Sequence, residues 1–220
     1  MDITLIKRIQ LVDRNRYITR LCRGKLVLHL GCTDAPYYKQ QITDGRLLQK
    51  SLIDADARVI GIDIDEEALS WMANRLPGEY HCGNIEDTDF MLGFAKRGFE
   101  VVLLTDVLEH LNNPYLALDN INKITSDKTD IIITVPNAFA VKIFLRIMVG
   151  HELVHPDHVS WQTLATLSEL LDRAGFEVVE PFSFLGGGKG LAAGITNVIL
   201  RFIPRLAEGI GVRCRVRERL

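Results

Sequence analysis

Three of the six histidines fall within eight residues, His151, His155 and His158 in HELVHPDHVSW. Neutral imidazoles accept protons near physiological pH and also ligate metals. The i, i+4, i+7 spacing would stack the three on one helix face, but Pro156 interrupts that helix, and no metal is expected. A fourth, His110, lies in DVLEHLNNP. Asp63 ends the hydrophobic run VIGID and can accept hydrogen bonds from both hydroxyls of a ribose. Asp65, two residues on, can cap the helix that follows, which leaves Asp63 free. GGGKG at 186–190 does not match a phosphate loop, because Ser183 stands where the first glycine belongs and Gly190 follows the lysine. The cysteines at 22, 32, 82 and 214 form no CxxC pair, so neither a zinc knuckle nor a disulfide framework is expected.

These residues need elements to hold them. Leu26–Leu30, Val59–Asp63, Val101–Asp106 and Ile131–Val135 are near-continuous β-branched and leucine runs, the pattern of parallel strands covered on both faces. Tyr80–Cys82 and Phe176–Phe182 read as further strands. Helices are expected between them: one through Arg46–Leu52 to Ala55, capped by Thr43 or Asp44; one opened by Asp65 and stopped by Pro77-Gly78; one starting near Pro114; and one over Ser160–Ala174. Repeated strand–helix–strand units predict an α/β fold, a doubly wound, mostly parallel Rossmann-like sheet with helices on both faces. In such sheets ligands bind beyond the carboxyl ends of the strands. That singles out the residues after each strand, Gly31-Cys32-Thr33-Asp34, Asp63-Ile64-Asp65, Gly83-Asn84-Ile85, Thr105-Asp106 and Pro136-Asn137, and among them Gly31, Cys32, Thr33, Asp63, Ile64, Asn84, Ile85, Thr105 and Asp106 as the candidate site. Gly31 is followed by Cys, Thr, Asp, Ala and Pro, so no pyrophosphate-cradling turn is present and a dinucleotide is not expected.

The chain of 220 residues is 47% hydrophobic and 25% charged, ordinary globular usage that excludes disorder and coiled coil as the main architecture. The net charge of −2 conceals a division: residues 1–25 carry +5, residues 201–220 carry +4, and the body carries −11. An acidic body makes nucleic acid an unexpected partner. No apolar run reaches the roughly 18 residues of a membrane span, and a cytoplasmic, reduced chain is expected. Phe139–Val149, with Lys142 and Arg146 one turn apart, and Ile195–Leu206 could meet lipid or a lipid-linked acceptor, form a homodimer face, or pack as lid helices.

Taken in order, LVLHLGC, VIGIDID, HCGNIED, FEVVLLTDVLEHLNNP and IIITVPN resemble the class I S-adenosylmethionine-dependent methyltransferases over roughly residues 24–182. VSWQTLATLSELLDRAGFEV extends the likeness to the subgroup that methylates small molecules and glycans. The resemblance implies a seven-stranded sheet whose last strand is reversed, supplied here by Gly211–Arg217, alternating and charged like an edge. It implies one methyltransferase-like domain over 1–220: a helical segment 1–25, a core 26–182, and a loop, helix and last strand in 183–220. It implies S-adenosylmethionine as cofactor, with Gly31 beside the methionyl part, Asp63 on the ribose, Asn84 and Ile85 at the adenine, and Thr105 and Asp106 at the methionyl end. Glu109-His110 matches the family's frequent Glu-His-Leu element.

The departures are specific. The family's Gly-x-Gly-x-Gly turn has Thr33 and Ala35 at its second and third positions, and a Cβ there crowds the approach. The usual acidic residue two places before the first glycine is His29. The loop to the next helix is longer, with Pro36-Tyr37-Tyr38-Lys39 in it. Two readings follow. One is methyl transfer to a hydroxyl of a sugar or other small metabolite, with His110, His155 or His158 contacting the acceptor or serving as base, and the histidine segment roofing its site. The other is a catalytically silent methyltransferase-like partner or ligand-sensing protein.

Overall fold

The computed structural model describes residues 9–152, 154–186 and 200–217. Eight strands form one sheet: β1 (Gln10–Val12), β2 (Leu26–Leu30), β3 (Arg58–Asp63), β4 (Glu79–Cys82), β5 (Val101–Thr105), β6 (Asp130–Pro136), β7 (Phe176–Phe184) and β8 (Gly209–Val216). Their order is β1-β7-β8-β6-β5-β2-β3-β4, parallel throughout except for β8, which runs against both its neighbours. From β2 the chain winds outward to β3 and β4, then returns to β2's other side as β5. The switch point therefore lies between β2 and β5.

Side chains alternate across the central strands, and both sets are buried. Leu28, Leu30, Val102, Leu104, Ile131 and Ile133 face one core, closed by α5 (Thr88–Leu92), α6 (Pro114–Ile124) and α8 (Leu164–Arg173). Val27, Val59, Val101, Leu103 and Ile132 face the other, closed by α1 (Arg14–Cys22) and α3 (Leu48–Asp54). A third cluster joins Tyr38 of α2 (Tyr38–Thr43) to Ala68 and Met72 of α4 (Glu66–Ala73). Polar caps start the helices where the sequence offers them. Asp65 accepts from the Ala68 N–H at 2.9 Å, Asn113 from the Leu116 N–H at 3.1 Å, and Thr163 closes a capping box with Thr166.

The structure differs from the sequence reading in four places. The sheet has eight strands rather than seven, because Gln10–Val12 pairs in parallel with Phe182–Phe184 ahead of α1. The described part of segment 1–25 is thus a strand and a helix. The reversed strand is interior, not an edge: β8 lies between β6 and β7, where Arg213 and Arg215 meet Glu180 and Asp130. Thr43 and Asp44 do not cap the helix through Arg46. They end α2, which begins inside the Pro36–Lys39 insertion, and the chain turns at Gly45 (φ 66°) before α3 begins at Leu48. Most of GGGKG and the first part of Ile195–Leu206 lie outside the described residues. No described helix is long and apolar enough to cross a membrane.

Candidate active site

A cavity of about 820 Å³ opens at the carboxyl ends of β2, β3, β4 and β5. The nine residues of the candidate site line it, and so do His110, His155 and His158; of the strand-end residues only Asn137 does not, its amide donating instead to the Arg205 and Ala207 carbonyls at 2.8 Å. The chain leaves β2 through Gly31 at φ 70°, where an added Cβ would lie 2.3 Å from Val107 Cγ2; only glycine fits this turn. Cys32 lines the cavity but is only 1% exposed. Its buried Sγ packs against Gly61.

Asp63 is held on both sides. Its Oδ2 accepts from the Thr33 N–H at 3.0 Å and from Thr33 Oγ1 at 2.7 Å. Its Oδ1 accepts from the N–H groups of Ile64 at 2.8 Å and Asp65 at 3.2 Å. Thr33 therefore has a positive role in the turn where the family carries glycine: it ties the β2 turn to the end of β3. Next to Asp63, Ile64 is 74% exposed, an apolar surface at the cavity, while Ile85, which also lines the cavity, is buried. Asn84 Oδ1 accepts from the Glu86 N–H at 2.9 Å, an Asx turn that leaves the amide NH₂ and one carbonyl lone pair available.

His29 is neutral. Burial drives its pKa down to about 4, against the raising effects of Gln49 and Asp63. Nδ1 lies 2.8 Å from Gln49 Oε1, an acceptor, so Nδ1 carries the proton and Nε2 faces Thr105 Oγ1 at 3.4 Å. The substitution at this position thus brings no positive charge to the cavity. Asp106 adopts φ 55°, accepts from Thr134 Oγ1 at 3.0 Å, and pairs with Arg14 at the start of α1. Arg14 and Gln49 are site residues that the sequence reading missed, since their partners are 92 and 20 residues away and no local motif marks them. A second cavity of about 1780 Å³, lined by Phe184, Arg201 and Phe202 among others, meets the first at Arg14, Arg46, Asp106 and Pro136.

The histidines converge at the other end. His110 ends a 3₁₀ turn (Leu108–His110) after β5, and its ring centroid lies 4.6 Å from that of His158 and 5.8 Å from that of His155. Trp161 backs His158. The loop is fastened by the Val159 N–H donating to the Glu109 carbonyl at 2.9 Å and by His110 Nδ1 to the Asp157 carbonyl at 3.2 Å. His151 is exposed and outside this group. Burial, then the neighbouring His110 and His155, lower the His158 pKa. Glu109 is 2% exposed, and neither carboxyl oxygen has a partner in the described structure. Burial, then Asp106, push its pKa up to about 8.

A doubly wound sheet with one reversed strand, carrying an acidic strand end and a glycine turn beside a cavity at its switch point, defines a Rossmann-like protein. The chain belongs to the methyltransferase domain family, which matches residues 15–181. A probable S-adenosylmethionine-dependent methyltransferase of Mycolicibacterium smegmatis is 26% identical over 173 residues, 78% of this chain and 59% of the relative. This chain therefore spans under two thirds of that relative's length. Among solved structures, an S-adenosylmethionine-dependent methyltransferase from Archaeoglobus fulgidus aligns with a TM-score of 0.60 at 16% identity over 92% of this chain and 91% of that one. The magnesium protoporphyrin IX methyltransferase of Synechocystis, solved with bound SAH, gives 0.61 at 15% identity over 93% and 82%. A complex of the Haloferax volcanii Trm112 methyltransferase activator with a candidate methyltransferase gives 0.62 at 14% identity over 93% and 88%. At these identities the likeness is one of fold. The cofactor that accompanies this family is S-adenosylmethionine, and the cavity's volume, neutral His29, Asp63 and exposed Ile64 fit it.

Proposed function

We propose that the protein, read as one methyltransferase-like domain, transfers a methyl group to a hydroxyl of a sugar or other small metabolite. The observation that carries this reading is the convergence of His110, His155 and His158 on the same cavity that holds Gly31 and Asp63. S-adenosylmethionine would supply an electrophilic methyl on sulfonium: the acceptor oxygen would bond to that carbon in line as the C–S bond breaks, the neutral thioether would leave, and the hydroxyl proton would pass to a histidine of the trio. Asp63 receives the ribose hydroxyls, with ribose competing for Oδ2 against the Thr33 hydroxyl. Ile64 and Ile85 flank the adenine, and Asn84 offers its amide to the ring edge. Thr105 and Asp106 face the methionyl end. The histidines orient the acceptor; alignment of this kind supplies several kcal/mol of catalysis.

The apolar face of α7 (Val141–Met148) supports a lipid-linked or membrane-adjacent acceptor, because none of its residues is buried and Phe144, Leu145, Ile147 and Met148 are all exposed. A silent partner or sensor is the second reading, favoured by the occupancy of all four Asp63 lone-pair positions by protein donors. The Haloferax protein was solved with an activator, and a partner that completes the site would suit this reading.

Calorimetric titration with S-adenosylmethionine and its demethylated product is the first test. Binding in the micromolar range, followed by transfer of a labelled methyl group to a sugar acceptor, is expected. Absence of binding to either ligand would replace this reading with the silent one.

A further inference from the structure

The sequence spacing of His151, His155 and His158 argues against a metal, because Pro156 denies them a common helix. The fold brings together a different trio. One ligand atom from each of His110, His155 and His158 lies within 4.8 Å of the others, two from the loop after α7 and one from the 3₁₀ turn after β5. Two nitrogens on one tetrahedral zinc ion sit roughly 3.3 Å apart, so ring rotations close the difference. The side-chain torsions of His155 and His158 supply that adjustment on a loop whose backbone is fastened.

The hydrogen bonds around the trio point the same way. The Asp157 carbonyl can only accept, so the proton of His110 is on Nδ1 and its Nε2 bears the lone pair. Donation of the remote ring N–H to a carbonyl is the usual way a ligating histidine is oriented. His155 Nδ1 accepts from the Asp157 N–H at 3.4 Å, and the Asp157 carboxylate stands 3.7 Å from the same atom; ligation through Nε2 moves the ring proton to Nδ1, where that carboxylate can take the hydrogen bond. One further polar atom of the trio lacks a partner, His158 Nδ1. A buried ring nitrogen with no hydrogen bond is costly, and a cation at the trio supplies the missing interaction.

We propose that His110, His155 and His158 form a binding site for a divalent cation of the zinc class at the rim of the cofactor cavity. Three neutral imidazoles suit zinc and similar borderline ions and suit magnesium or calcium poorly. Three protein ligands also leave a coordination position open, which can hold and orient an acceptor oxygen. The site itself rests on the rings and their partners; only its service to an acceptor rests on the methyl-transfer reading.

The test is titration of untagged, chelator-treated protein with Co²⁺, read by the visible absorption of the nitrogen-coordinated ion, with metal analysis for stoichiometry. One ion per chain is expected, displaced by Zn²⁺ and not by Mg²⁺. His155→Ala and His158→Ala should each weaken binding by about 100-fold or more, beyond the effect of losing an orienting group alone. His151→Ala should leave the cobalt spectrum unchanged. Unfolding of the variants is checked by circular dichroism and by S-adenosylmethionine titration. Absence of saturable one-to-one binding, or binding that survives in both folded variants, would overturn the site. Stoichiometric cobalt binding without S-adenosylmethionine binding would keep the site and remove the methyl-transfer reading.

Discussion

At the scale of single residues, Thr33 and Asp63 form a latch. Asp63→Asn keeps the shape but turns one acceptor into a donor facing backbone N–H groups. Cofactor affinity should fall by ~1–3 kcal/mol, and the domain should lose a comparable amount of stability. Calorimetry and urea unfolding read the two separately. Thr33→Val keeps the N–H bond and releases one lone pair of Oδ2 to the ribose, so cofactor affinity should hold or rise; a large loss would mean that the Thr33 hydroxyl itself contacts the cofactor. Glu109 carries a pH signature. Its folded pKa, about 8, exceeds its unfolded value, so the folded state holds the proton more tightly. That contribution is complete below the unfolded pKa and is lost as pH rises through about 8. Metal-free Glu109→Gln should therefore gain thermal stability relative to wild type as pH rises through this window. A constant difference in melting temperature would show that Glu109 does not titrate there. Asp63 and Asn84 were legible as cavity-lining positions because strand ends announce them, and Glu109-His110 because it matches the family's Glu-His-Leu element. Gln49 was not, because a buried amide serving a histidine on another element leaves no trace in spacing.

At the scale of elements, continuous apolar runs made the central strands legible to within a residue or two. Short pairing partners escaped. Gln10–Val12 is too brief to show periodicity, and it becomes a strand only because β7 offers it an edge. The insertion after Pro36 looked like a loop and is in part α2, whose Tyr38 gains its place by packing on Trp71 at 5.1 Å. In α7 the sequence reading and the structure agree on an amphipathic segment with Lys142 and Arg146 on it, and the structure leaves the apolar face open. If this face meets lipid, the protein should co-sediment with anionic vesicles, and Phe144→Ser with Met148→Ser should reduce that by several-fold while leaving cofactor binding intact. Equal sedimentation of variant and wild type would return α7 to a protein interface.

At the scale of the whole molecule, the charge division finds its explanation in the sheet. The basic carboxyl-terminal stretch is not an unpartnered patch, since β8 carries two of its arginines into the middle of the sheet. Asp130, at the start of β6, is buried, and its carboxylate lies 2.9 Å from Arg215, 3.4 Å from Arg213 and 4.0 Å from Lys25. Glu180 of β7 holds Arg213 from the other side at 3.1 Å. One acidic residue thus balances cations from both ends of the chain. The sequence could not show this, because an alternating charged strand reads as an edge unless its counter-charges, 83 and 85 residues away, are known. Replacing Asp130 with alanine removes the central anion and leaves cations crowded on the sheet. Breaking a buried pair from one side costs about 3–5 kcal/mol; Arg215 and Lys25 reach solvent here, so the lower end is expected. Urea unfolding should show that loss for Asp130→Ala and a smaller one for Arg215→Ala, which removes only a half-exposed partner. Equal losses would mean that Arg215 carries most of the interaction, and a negligible loss for Asp130→Ala would mean that β8 is held by its backbone ladder and apolar face alone.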